Sequence, residues 1–305
     1  MKYYKIPNSN LTVSKLALGC MRLTELSLEE AEKLVQTALE CGINFFDHAD
    51  IYGNGQSEAL FGNFLKKNPD LRKQIIIQTK CGIRDGYYDS SAEHILASVN
   101  SSLKRLNTDY IDVLLIHRPD ALTDFEDVAK AFKILREEKK VRFFGVSNMN
   151  AIQIEILQKH LPNKLIFNQL HFNIVHSLMI DEILNVNINN DYAVNRTGDI
   201  LDYMRLHEIT MQAWSPLQIS LTKGTYLGHP DYVELNQKLE EIGTKYGLTP
   251  AAVAVAWILR HPARIQVIVG TTKPASLREL VKAVDIELSK KEWYDLYLSV
   301  GKDLP

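Results

Sequence analysis

Cysteine is nearly absent from this chain. Its three thiols, Cys20, Cys41 and Cys81, are odd in number and lack metal-ligand spacing. That excludes a disulfide scaffold and points to reduced thiols in a cytoplasmic protein, each read as a small buried apolar side chain. An excess of either charge is lacking too. The formal net charge is −2, which gives no reason to expect nucleic acid or a membrane surface as a partner. No apolar run is long enough to span a bilayer, and no signal-peptide core follows Met1-Lys2-Tyr3-Tyr4-Lys5. No linker, internal repeat or composition shift divides the chain, so one domain over 1–305 is expected.

What the chain does have is core-forming material, 46% hydrophobic against 24% charged residues, enough for a globular fold. After a polar, hairpin-like N-terminus, Leu16-Ala17-Leu18-Gly19 is a first short strand. Ser27-Leu28-Glu29-Glu30 has the form of a capping box and opens a helix that stops at Gly42. The alternation then repeats. Strands near 43–47, 75–79, 111–116, 142–146, 165–168, 209–213 and 266–269 precede helical stripes near 57–66, 92–106, 125–137, 151–158, 200–206, 232–246 with 250–259, and 276–283. Eight such units predict a (β/α)8 TIM barrel with a short N-terminal β-hairpin and an extra C-terminal helix, since closed barrels of this kind run to about 250 residues. A doubly wound open sheet is the runner-up, but no Gly-x-Gly-x-x-Gly follows the first strand. Segments 186–199 and 218–231 exceed ordinary loop length. They are candidates for lids or substrate-shaping loops, and equally for surface insertions.

Three of the strands end in chemistry. Asn44-Phe45-Phe46 runs into Asp47 and, after a short loop, Tyr52; Ile75 to Thr79 runs into Lys80; Ile111 to Ile116 runs into His117. In a barrel all strand C-termini share one rim, so these four can meet. A lysine ammonium beside a phenol stabilises phenolate and is expected to lower the tyrosine pKa, while Asp47 keeps the lysine charged and oriented. A phenol so tuned can protonate a carbonyl oxygen that His117 orients. No metal is needed, and none is suggested by spacing. Taken singly, each side chain has an ordinary reading: a loop ion pair, a rim aromatic, an exposed lysine, a satisfied part-buried histidine. The ordinary reading is preferred for His48 and His171. For the four together, coincidence at three strand ends outweighs it.

The segments carrying these residues resemble the aldo-keto reductase family. The resemblance runs through Asp47-His48-Ala49-Asp50-Ile51-Tyr52-Gly53, Thr79-Lys80-Cys81-Gly82 and Leu114-Leu115-Ile116-His117-Arg118-Pro119-Asp120. It continues through Gly145-Val146-Ser147-Asn148, Asn168-Gln169, Trp214-Ser215-Pro216-Leu217 and Gly270-Thr271-Thr272-Lys273. It spans nearly the whole chain in order, and its wording is closest to the bacterial YdhF-like oxidoreductase branch. It implies a monomeric barrel that binds NADPH (NADP+) without a Rossmann fold and reduces small-molecule carbonyl substrates. Tyr52 is then the general acid, tuned by Lys80 and Asp47, with His117 positioning the carbonyl. Ser147, Asn148 and Gln169 match the positions that hold the nicotinamide carboxamide, and Trp214 the aromatic under the nicotinamide ring. Ser215 and Leu217 match the start of the pyrophosphate loop, and Gly19, Met21 and Arg22 the cofactor-side first loop. Gly270, Thr271, Thr272, Lys273, Ser276 and Glu279 match the adenosine 2′-phosphate and adenine pocket. Leu280 departs from the pattern, standing where many members carry Asn.

Two other classes compete. A Schiff-base aldolase or isomerase would use Lys80 on the same barrel but leaves the amide and indole positions without a role. A regulatory or sensor protein would bind NADPH and turn over negligibly; the lack of an extra N-terminal segment or charged tail weighs against it.

Overall fold

In the computed structural model, which describes residues 1–220 and 222–304, eight parallel strands close into a barrel. In chain order the elements begin with an antiparallel hairpin, β1 (Tyr3–Lys5) and β2 (Thr12–Ser14), followed by β3 (Leu16–Gly19), α1 (Leu28–Glu40), β4 (Phe45–Asp47) and α2 (Gln56–Lys67). Next come β5 (Ile76–Cys81), α3 (Ala92–Leu106), β6 (Ile111–Ile116), α4 (Phe125–Glu137), β7 (Val141–Ser147), α5 (Ala151–Lys159), β8 (Phe167–His171), α6 (Leu178–Leu184) and α7 (Ile200–Leu206). The chain continues with β9 (Thr210–Trp214), β10 (Gln218–Ser220), β11 (Gly224–Thr225), α8 (Val233–Tyr246), α9 (Pro250–Leu259), β12 (Gln266–Val269), α10 (Pro274–Val281) and α11 (Lys290–Leu298). The barrel order is β12-β3-β4-β5-β6-β7-β8-β9. The expected TIM barrel, N-terminal hairpin and C-terminal helix are all present.

Local chemistry sets the helix starts. Ser27 caps α1 in the anticipated capping box, its hydroxyl accepting from the Glu30 amide while Glu30 accepts from the Ser27 amide. Asn150 and Gln153 repeat the device on α5. Thr249 caps α9, and Pro250 fits its first turn because that amide has no helical partner. α9 is buried all round, and Trp257 on it stacks 4.8 Å from Trp293 of α11, which seats the last helix. Gly62 lets α2 lie on α3: a Cβ there would stand 2.0 Å from the Arg105 carbonyl oxygen.

Strand alternation builds the barrel interior in layers. The lower inward positions Ala17, Phe45, Ile76, Val113 and Phe167 pack with Tyr4, Ile6, Leu11 and Val13, so the hairpin plugs that end. Two residues further along β4, β5 and β8 the inward positions turn polar, Asp47, Gln78 and Gln169, while β6 stays apolar at Leu115. Two further again stand Lys80, His117 and His171, at the C-terminal rim. The intervening residues Phe46, Ile77, Leu114 and Ile116 face the helices.

The long segments carry structure and hydrogen bonds of their own. α6 is a helix that the sequence pattern did not announce, and its Glu182 accepts from the amides of Arg196 and Thr197 and from the Thr197 hydroxyl. Segment 186–199 is therefore tied down, and Tyr192 also donates to the Gly301 carbonyl at 3.0 Å. Segment 218–231 holds the β10–β11 hairpin. β8 begins two residues later than expected and reaches His171, because Leu165 and Ile166 lead into the strand. No single helix among the described residues is long and apolar enough to cross a membrane.

Candidate active site

The four strand-end residues meet at the rim. The Lys80 ammonium, fully buried, donates to the Asp47 carboxylate at 2.8 Å, to the His48 carbonyl at 2.8 Å and to the Tyr52 hydroxyl at 3.1 Å. Those three bonds use all three of its protons. The His117 ring stands edge-on to Tyr52 with centroids 6.0 Å apart. Burial alone would pull Lys80 below its ordinary value, but Asp47 and Tyr52 outweigh it and hold the ammonium above it. Burial, helped by the Lys80 and Arg118 charges, keeps His117 well below the imidazole range and hence neutral.

The expected lowering of the Tyr52 pKa is corrected by this geometry. Burial of the phenol raises it above the ordinary 10.0; Lys80 pulls downward but does not overcome the desolvation. The phenol therefore stays protonated at neutral pH. Its oxygen accepts from Lys80, which leaves its own proton for another acceptor.

A ring of glutamines lies beneath the tetrad, and sequence reasoning passed over three of its members. Gln78 Nε2 donates to Asp47 Oδ1 at 2.6 Å and to Gln212 Oε1 at 2.9 Å. Gln169 Nε2 donates to the same two acceptors, each at 3.1 Å. Gln212 Nε2 donates to Gln266 Oε1 at 2.9 Å, and Gln266 Nε2 to the Ser14 carbonyl at 2.8 Å. Register makes the ring possible, since Asp47 pairs with Gln78, and Gln212 with both Gln169 and Gln266. Asp47 is thus held by two amides and one ammonium. A polar residue interrupting an apolar strand was the available signal.

Beside the tetrad the amide and indole positions also come together. Ser147 Oγ donates to the Gln169 carbonyl at 2.9 Å, Asn148 Nδ2 donates to Ser147 Oγ at 2.7 Å, and Trp214 Nε1 donates to Asn148 Oδ1 at 3.4 Å. The Gln169 amide oxygen accepts no hydrogen bond among the described residues, so it is open to a donor such as a carboxamide. Asn148 and Ser215 sit in the left-handed region at φ 57° and 50°, strain that brackets this corner. One face of Trp214 is covered by His171, with ring centres 4.5 Å apart, and His171 in turn stacks on His176 at 4.1 Å. A cavity of about 210 Å³ opens beside Asn148 and His171, walled by Leu170, Leu178, Met179 and Ile200. A hollow of about 410 Å³ at Asp109, Tyr110, Glu138, Lys139 and Arg142 lies at the opposite end of the strands, away from this chemistry.

The remaining anticipated positions are less uniform. Arg22 donates to the Gly270 carbonyl at 2.6 Å, joining the loop after β3 to the end of β12. A Cβ on Gly19 would stand 3.0 Å from Ile268 Cγ2, so only glycine sits easily there. Met21 is exposed. Ser215 Oγ donates to Gln218 Oε1 at 2.7 Å, and Leu217 packs on the core at the start of the same loop. Thr271 Oγ1 accepts from the Lys273 amide at 3.2 Å; Thr272 and Ser276 are half-buried and the Lys273 side chain is exposed. Glu279 is occupied by Lys282 at 2.8 Å, and Leu280 is core.

The two histidines expected to be satisfied part ways: His171 is half-buried and bonded to Asn173 Nδ2 at 3.2 Å, as expected, and His48 is not. His48 is fully buried, yet neither ring nitrogen has a partner among the described residues, and burial drives it down to about 3. His171 is part of the wall beside Trp214, lowered to about 4 by burial, then His176.

A buried cation holding a phenol, beside a neutral imidazole on the rim of a parallel barrel, defines a class: barrel enzymes that act on carbonyl groups. The sequence profile of the Aldo/keto reductase family matches residues 15–297, and the chain belongs to that family. It is 35% identical over 312 residues to a 6-dehydroglucose reductase of Agrobacterium fabrum, covering 97% of this chain and 98% of that one. It is 34% identical over 305 residues to the oxidoreductase YdhF of Escherichia coli, covering 96% and 95%. Among solved structures, the thermostable aldo-keto reductase Tm1743 in complex with the inhibitor epalrestat superposes with a TM-score of 0.78 at 25% identity, covering 98% of this chain and all of that one. The chain is therefore an NAD(P)H-dependent oxidoreductase, and its reaction class is carbonyl reduction.

Proposed function

We propose that this protein, a single barrel domain over 1–305, reduces aldehydes or ketones to alcohols with NADPH as hydride donor and Tyr52 as proton donor. The observation that carries the reading is the Lys80 ammonium, whose three protons are all placed, one of them on the Tyr52 oxygen. That arrangement fixes the phenol and leaves its proton free to travel toward a substrate oxygen. As a carbonyl oxygen gains charge it becomes more basic than phenolate, so a phenol kept protonated by burial still gives up its proton. Lys80 then stabilises the phenolate left behind, and Asp47 prevents a net cation from being stranded in the barrel. The neutral His117 donates a hydrogen bond that orients the carbonyl.

Bound NADPH supplies the hydride. Ser147, Asn148 and the open amide oxygen of Gln169 hold the carboxamide, and Trp214 offers the shelf for the flat ring. Gly19, Met21, Arg22, Ser215 and Leu217 line the pyrophosphate path, while Gly270, Thr271, Thr272, Lys273, Ser276 and Glu279 form the adenosine end. Lys273 and the hydroxyls of Thr271 and Ser276 suit a phosphate at the start of α10. The protein acts as a cytoplasmic monomer on small molecules.

A panel of aldehydes and ketones, followed by NADPH consumption with NADH run alongside, tests the reading. Turnover that is faster with NADPH supports it. Tight NADPH binding with no turnover across the panel would leave a cofactor-binding protein that senses rather than catalyses.

A further inference from the structure

We propose that Arg118 anchors a carboxylate carried by the carbonyl substrate, so that the enzyme prefers oxo acids to neutral carbonyl compounds. This rests on the reductase reading and adds the substrate class to it. Arg118 follows His117 directly at the end of β6 and is half-buried. Its guanidinium carbon lies 5.8 Å from the centre of the Trp214 ring, the indole of the same rim. Two arginine side chains make no hydrogen bond and no ion pair among the described residues, Arg118 and Arg264. Arg264 is exposed beside Tyr4 at the far end of the barrel, where water serves it. Arg118 is half-buried at the rim, so less of it reaches water.

The carboxylate of the tetrad and the one that follows Arg118 in the chain are already engaged. Asp47 is held by Lys80, Gln78 and Gln169. Asp120, two residues on, accepts from the Leu122 amide at 2.8 Å and from Ser90 Oγ at 3.3 Å. The Arg118 charge remains uncompensated and is felt on both sides, since it helps hold the His117 and His171 imidazoles down. A partly desolvated guanidinium with five unused N–H donors is complementary to a carboxylate, which it grips with two parallel hydrogen bonds. Contact with the indole steadies the guanidinium plane. A substrate whose carbonyl sits between Tyr52 and His117 extends past His117 to reach this cation. Arg118 thus does for the substrate's distal end what His117 does for its reacting end.

The test uses two aldehydes that differ only in charge, 4-formylbenzoate and its methyl ester, with NADPH. Wild type is expected to favour the acid, and Arg118→Met to lower the acid-to-ester ratio of kcat/KM about tenfold to a hundredfold, mainly through KM. Arg118→Lys, which keeps the charge and loses the fork, is expected to retain part of the preference. Benzoate titrated into the NADP+-loaded protein by calorimetry gives a second readout that needs no turnover: binding to wild type and its loss in Arg118→Met. Equal losses for acid and ester, or benzoate binding that survives Arg118→Met, overturn the proposal and reduce Arg118 to a support for Trp214. Benzoate bound through Arg118 with neither aldehyde reduced would instead overturn the reductase reading and leave the anion site standing.

Discussion

The hydroxyl of Tyr52 accepts a hydrogen bond from the Lys80 ammonium at 3.1 Å, and that ammonium has no exposed surface. The pair couples stability to chemistry, because a buried cation persists only where every proton has an acceptor. Burial raises the phenol despite Lys80, so the lysine's part falls after proton transfer, in stabilising the phenolate, more than before it.

Lys80→Met should therefore be costly by itself. It leaves Asp47 buried without its cation, and urea unfolding should show a loss of about 3–5 kcal/mol. Adding Asp47→Asn removes the stranded charge and should recover most of that loss. A double variant no more stable than the single one contradicts the pairing.

The glutamine ring makes a separate prediction. Gln212→Met takes an acceptor from Gln78 and Gln169 and a donor from Gln266. Denaturant unfolding should register a loss of about 1–3 kcal/mol, and kcat should fall because Asp47 is less firmly held. Unchanged stability with unchanged kcat would mean the ring is idle.

His48 sets an acid limit. Its folded value is about 3 against 6.5 unperturbed, so below pH 6.5 the unfolded chain binds a proton that the folded one refuses. Stability contributed by the neutral ring is complete above pH 6.5 and drains as pH falls toward 3, at about 1.4 kcal/mol per pH unit. A folded His48→Phe protein lacks this drain. Its stability relative to wild type should rise between pH 6.5 and 4, and parallel pH profiles would contradict the assignment.

Lys273 tests the adenosine end. The side chain is exposed after β12 and pairs with no acid among the described residues. Lys273→Ala should weaken NADPH by about 1.5–3 kcal/mol and NADH far less, measured by quenching of protein fluorescence. Equal losses for the two cofactors would place the 2′-phosphate elsewhere.

Much of this was legible in the chain itself, and for identifiable reasons. Asp47, Lys80 and His117 stand at strand ends, where period-two alternation and parallel closure leave little freedom in where they point. Helices such as Ala92–Leu106 and Phe125–Glu137 matched their apolar stripes to the residue. The seven-residue α6 did not show, because no side-chain cap announces its start at Ser177 and it follows β8 only after an irregular stretch. The glutamine ring depends on which strands face one another across the barrel, and no local pattern reports that. The direction of the Tyr52 shift turns on burial outweighing a neighbouring charge, a comparison available only in three dimensions. Arg118 carries no local signal, because what marks it is the lack of a side-chain partner among the described residues.

The most direct measurement is the pair of numbers for Tyr52→Phe: kcat on a reducible aldehyde, and NADPH affinity by fluorescence quenching. Removing one hydroxyl takes away the proton donor and leaves the amide and indole positions untouched, so the account predicts turnover abolished with NADPH still bound. A variant that turns over at the wild-type rate contradicts it.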